Sequence, residues 1–119
     1  MSTQQIAARL TELCGKGEFE AAQRELFADD AVSIEQHETP AFPKETKGLQ
    51  AIVKKGHDWA ATLEKVHGCS TSKPLVAGNA IAMTLAIDVT MKGHGRMKLE
   101  EVCVYEVKDG KIISERFFM

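Results

Sequence analysis

Residues 79–91, Asn-Ala-Ile-Ala-Met-Thr-Leu-Ala-Ile-Asp-Val-Thr-Met, decide the fold class. Ile81, Met83, Leu85, Ile87, Val89 and Met91 take every second position, and Ala80, Ala82, Thr84, Ala86, Asp88 and Thr90 fall between them. A period of two places one set on each face of a β-strand. Gly93-His94-Gly95 then predicts a hairpin turn, with Met97 to Lys108 returning antiparallel. Asp109-Gly110-Lys111 is a second tight turn and the clearest turn signal in the chain, after which Ile112 to Met119 closes the sheet. Upstream, Cys69 to Val76 predicts a further strand.

The other half of the chain is mostly helical. Thr3 to Cys14 carries Ile6, Leu10 and Leu13 at helical spacing, with Ser2 and Thr3 fit to cap its start and Gly15 and Gly17 to end it. Glu18 to Phe27 predicts a second helix. Asp29-Asp30 marks a turn, Ala31 to His37 a strand, and Glu38 to Thr46, with Pro40 and Pro43, a loop. Lys47 to Val66 predicts a third helix, which at the usual rise would be about 30 Å long. Helices followed by a meander of strands predict an α+β domain with the helices on one face of an antiparallel sheet. The chain closes inside an apolar strand, Phe117-Phe118-Met119, so one complete domain over residues 1–119 is expected.

Composition narrows the function. A chain of 119 residues with 44% hydrophobic residues can bury its own core, and a formal net charge of −2 gives no global field for nucleic acid or an anionic membrane. No stretch approaches the length of a membrane span, and the N-terminus has no secretory pattern. The three cysteines, Cys14, Cys69 and Cys103, are widely spaced and form no CxxC pair, so reduced thiols and a cytoplasmic location are expected. Neither metal-ligand spacing nor a phosphate-binding or serine-nucleophile motif is written in the chain. The expectation is therefore no metal and no cofactor.

Three sequence words carry a resemblance to the SnoaL-like domains of the nuclear transport factor 2-like superfamily. They are Leu26-Phe27-Ala28-Asp29-Asp30-Ala31, Lys47-Gly48-Leu49-Gln50-Ala51-Ile52, and Val104-Tyr105-Glu106-Val107-Lys108-Asp109-Gly110-Lys111-Ile112. The resemblance implies a cone: a curved antiparallel sheet wrapped around the long helix, with two N-terminal helices and an apolar pocket. It also implies dimerisation through the convex face of the sheet. Its members include ketosteroid isomerases, polyketide cyclases, dehydratases and epoxide hydrolases, so fold alone does not name the chemistry.

The resemblance puts a general-base carboxylate at Glu35, seven residues after Ala28. A carboxylate on the pocket side of a strand can move a proton on carbon; the bland alternative is a charged residue on a half-exposed strand. Ketosteroid isomerases use a tyrosine and a protonated aspartic acid as oxyanion hole. Here Leu13 and Cys14 stand near the tyrosine position, and Cys103 or Val104 near the aspartate position, so steroid isomerase activity is not expected. Glu101, Cys103 and Tyr105 share one strand face by period two. If that face is the pocket, Glu35 and Glu101 converge; otherwise Glu101 sits at the rim and Tyr105 in the core. His37 shares the face of Glu35 and could relay protons, or end the strand in solvent. His57 edges the third helix toward pocket or solvent, and His67 ends that helix. Asp88 lies in the pocket or on the convex face, as hairpin register decides. Trp59 and Met83 would help line a site for a small apolar molecule, or else simply pack the core.

Two functions are compatible with these residues. One is a cofactor-free isomerase, cyclase or dehydratase with Glu35 as base and Glu101, Tyr105 or His37 completing the proton traffic. The other is a non-catalytic module that binds an apolar ligand or only dimerises. A homodimer is expected for either, because the closing strands alternate too regularly to leave both sheet faces in water.

Overall fold

Ser2 begins the first helix with a reciprocal cap: its Oγ accepts from the Gln5 amide at 3.1 Å, and its own amide donates to Gln5 Oε1 at 2.8 Å. In the computed structural model, which describes residues 1–119, α1 (Thr3–Gly15) buries Ile6, Ala7, Leu10, Leu13 and Cys14 along one stripe. Gly17, at φ 74°, supplies the left-handed turn into α2 (Phe19–Leu26). Phe27 does not extend that helix. It opens β1 (Phe27–Ile34), and Asp29 and Asp30 lie inside this strand rather than in a turn. Pairing with the last strand shifts between Phe27 and Val32, so an irregularity holds both aspartates in solvent while Phe27 and Ala31 stay buried.

The strand ends at Ile34, so His37 falls in a bend beyond it. Within the expected loop, Glu45–Lys47 forms β2. Gly48, at φ 92°, then leads into α3 (Leu49–Ala60), which buries Ile52 and Val53. This helix has 12 residues and is about 18 Å long, shorter than its apolar spacing predicts. Thr62 closes it by donating through both its amide and its Oγ1 to the carbonyl of Trp59. Leu63 and Val66 keep helical spacing by coincidence, and they belong instead to β3 (Leu63–Thr71), whose ladder with β5 outweighs local pattern. His67 accordingly ends no helix; its Nε2 lies 2.7 Å from Thr90 Oγ1.

β4 (Leu75–Ala77), β5 (Ala80–Met91), β6 (Gly95–Lys108) and β7 (Lys111–Phe118) complete the sheet. Its order is β2-β1-β7-β6-β5-β3, with β4 also on β5. All pairings are antiparallel except β1 with β7, so the sheet is mixed rather than purely antiparallel. Asp109 and Gly110, at φ 53° and 77°, form the two-residue turn that a right-twisted hairpin favours. The three helices cover the inner face: α1 lies against β3 and β5, and α3 against β1 and β2. The architecture is the expected α+β type.

Candidate functional site

The β5–β6 register assigns the faces. Ile81 pairs with Tyr105, Met83 with Cys103 and Leu85 with Glu101. These residues therefore share the inner face with the buried core, and Glu101 is carried there by the same alternation that buries Cys103 and Tyr105.

A row of polar groups crosses this face. Ser33 pairs with Thr46 on β2 and with Glu115 on β7, and Glu115 pairs with Tyr105 on β6. Ser33, Thr46 and Glu115 are the buried hydrophilic side chains of the protein, and they stand on three adjacent strands. Thr46 Oγ1 is buried with no hydrogen-bond partner. One step further along β7 toward its C-terminus, Phe117 pairs with Cys103, and one further step along β6 brings Glu101. Glu35 stands just past the end of β1 on the same side. Its amide donates to the Lys44 carbonyl at 2.7 Å, and its side chain is 34% exposed, open enough to meet a ligand.

Lys55 reaches this group from α3, one turn beyond the buried Ile52 on the same helix face. Its Nζ donates to Ser33 Oγ at 2.7 Å, lies 3.6 Å from Glu35 Oε1, and sits 5.8 Å from the centre of the Phe117 ring. At 15% side-chain exposure it is largely withdrawn from water.

Burial dominates the electrostatics. It pushes the Glu115 carboxyl up to about 7, and the Ser33 hydrogen bond and the Lys55 charge only partly oppose it. Burial pushes Glu101 up to about 7 as well; the charge of Glu35 adds to this, and the Cys103 thiol, which donates to Glu101 Oε1 at 3.8 Å, works against it. Burial also raises the Cys103 thiol and the Tyr105 phenol, so both keep their protons at neutral pH. The inner face thus places two carboxylic acids that titrate near neutrality beside a third carboxyl and an ammonium. Such a group can give and take protons away from bulk water.

Of the residues expected from sequence, the fold brings together Glu35, Glu101, Cys103 and Tyr105, with Met83 packed beside Cys103. Trp59 is half-buried against the core near the end of α3. The others do not join them. His37 is exposed in the bend after β1, and His57 is exposed and pairs with Glu20 of α2. Asp88 lies on the outer face, where Arg96 donates to its two oxygens at 3.1 and 2.9 Å and holds its carboxyl below the usual range. Lys55, Ser33, Thr46 and Glu115 were not expected. Ser33 has the right parity two residues before Glu35, and Lys55 follows Ile52 at helical spacing. Nothing local marks Glu115, because a bulge places it.

The two raised acids set the sign of a pH effect. An unfolded chain releases their protons near the ordinary value of 4.5, whereas the folded protein holds them to about 7. Between those limits the native state binds more protons, so this contribution to stability falls as pH rises and is gone above about 7. Thermal melts from acid to alkaline pH on wild type and Glu115→Gln should diverge in that window, with the variant melting several degrees higher at pH 8. Parallel profiles would contradict the buried acid.

A family model for the SnoaL-like domain matches residues 1–119. A crystal structure from Mesorhizobium loti, described as a candidate SnoaL-like polyketide cyclase, is 37% identical with a TM-score of 0.91, over 100% of both chains. A Catenulispora acidiphila protein with a ketosteroid isomerase-like fold, solved with trimethylamine, is 17% identical with a TM-score of 0.71, over 99% of this chain and 87% of that one. A candidate isomerase from Bacillus subtilis is 19% identical with a TM-score of 0.73, over 98% and 88%. The latter two are likenesses of fold. No curated protein sequence matches the chain. With the family model covering the whole sequence and a 37% identical relative sharing the fold over its full length, the chain belongs to the SnoaL-like domain family.

Proposed function

We propose that this protein is a cofactor-free proton-transfer catalyst of the isomerase or cyclase type, acting on a small apolar carbonyl compound beside the carboxyl groups of the inner face. The observation that carries the reading is the convergence of Glu35, Glu101 and Glu115 from three strands onto one lysine. Glu35, whose side chain is 34% exposed, takes a proton from the carbon next to the carbonyl. Glu101 and Glu115, protonated near neutral pH, return a proton to the product or to Glu35. The likeness to a candidate polyketide cyclase supports a carbonyl substrate. The three free thiols suit a reducing compartment such as the cytoplasm.

Deuterium uptake into enolisable apolar ketones, with 2-tetralone as first probe, is the direct test. Wild type should accelerate exchange at the α-carbon over buffer, and Glu35→Gln should lose that acceleration by roughly a hundredfold or more. Exchange at the buffer rate, or undiminished in Glu35→Gln, would overturn the reading.

We also propose that the outer face pairs with a second copy of the chain. Leu75, Val102 and Phe118 are 75%, 42% and 44% exposed, and cross-strand pairing of Leu75 with Ala82, Ala82 with Val104, and Val102 with Phe118 joins them into one apolar band. Sedimentation equilibrium at tens of micromolar should report a dimer, and Val102→Glu a monomer. A monomeric wild type would refute the pairing.

A further inference from the structure

Resting on the proton-transfer reading, we propose that Lys55 is the electrophile of the site, its ammonium receiving the substrate oxygen that becomes an enolate when Glu35 removes the neighbouring proton. Lys55 is the one lysine of the chain whose side chain is not exposed. An ammonium has three N–H bonds. Ser33 Oγ accepts one of them at 2.7 Å, and Glu35 Oε1, at 3.6 Å, is beyond hydrogen-bond reach. Two N–H bonds therefore lack an acceptor in the protein, on a cation held in place by Ser33 below and by the face of Phe117 beside it. A fixed donor in a largely dry site stabilises developing charge more than a solvated one, because little reorganises when the charge arrives.

The adjacency of Lys55 and Glu35 suits a carbon acid. The proton leaves the carbon next to the carbonyl, and its electron pair moves through the new carbon–carbon double bond to the oxygen one bond away. Glu35 becomes neutral as the enolate becomes negative, so the charge balance around Lys55 is unchanged across the step. Reprotonation at a second carbon restores the carbonyl and frees the ammonium. No other group offers this service. Cys103 is a buried thiol and a weak donor, and Tyr105, 3% exposed, lies one step deeper than Cys103. Glu101 and Glu115 can donate as neutral acids, but neither carries a positive charge. The substrate class is narrowed to carbonyl compounds whose enolate is stable enough to reside on one ammonium, such as 1,3-dicarbonyls and hydroxyaryl ketones.

p-Nitrophenol imitates the enolate oxygen, and its colour reports ionisation. Wild type should bind it as the phenolate, and Lys55→Met should weaken that binding about tenfold or more. Lys55→Arg should retain much of it, and p-nitrotoluene, of like shape but without the acidic oxygen, should bind wild type and Lys55→Met alike. In wild type, the carbon-13 signal of the Lys55 ε-carbon should move on titration with the phenolate, which keeps the test alive should Lys55→Met not fold. Loss of deuterium exchange in Glu35→Gln and phenolate affinity in the wild-type and Lys55 variants are independent readouts, so failure of Glu35 as base and failure of Lys55 as electrophile are read separately. Equal phenolate affinity in Lys55→Met, no preference for phenol over p-nitrotoluene, or an unmoved Lys55 signal would overturn the proposal.

Discussion

Twelve consecutive pairs join β5 to β6, and the parity of that ladder governs the placement of nearly every group of interest. A slip of one residue would turn Glu101, Cys103 and Tyr105 outward and bring Glu100, Val102 and Val104 to the helices. The buried set of β6 opposes the slip, since Cys103, Tyr105 and Val107 would all leave the core together. Burying one aliphatic side chain such as Val107 is worth about 1.5–3 kcal/mol, so the set holds the register firmly. Glu101 is carried inward by its neighbours' hydrophobicity, against its own preference for solvent.

The inner face therefore contains a conflict that a purely structural sheet would avoid. Carboxyl groups on β6 and β7 face a core lined with methionine, leucine and aromatic rings, and one lysine and one serine are their polar company. Burial favours the neutral form of both acids, which is costly above neutral pH but leaves protons available at neutral pH. Sites of this kind commonly lower stability in return for chemistry. Thr46 Oγ1, buried beside Ser33 without a partner, adds to the same polar row.

The period-two pattern of residues 79–91 and the Asp109-Gly110 turn made the sheet legible, and the resemblance at Ala28 to Ala31 led to Glu35. The inner face of Glu101, Cys103 and Tyr105 was legible as a set, though not as a side. What stayed hidden was non-local. Strict alternation from Ile112 would bring Ser114 inward, but pairing shifts between Glu106 and Val107, and that one-residue bulge delivers Glu115 to the row instead. The end of α3 was hidden because Leu63 and Val66 satisfy helical spacing while pairing with Met91 and Val89 in a ladder. Lys55 looked like any lysine on an amphipathic helix until the parallel pairing of β1 with β7 set Ser33 and Glu115 beneath it.

Carbon-13 titration of the glutamate side-chain carboxyls, assigned with Glu101→Gln and Glu115→Gln, would test most directly whether the inner face stores protons at neutral pH. Glu101 and Glu115 should each take up a proton near pH 7, and removing one should move the apparent midpoint of the other. Two independent midpoints near the ordinary glutamate value of 4.5 would show that both acids are ionised at neutral pH, and the site would have no proton to give.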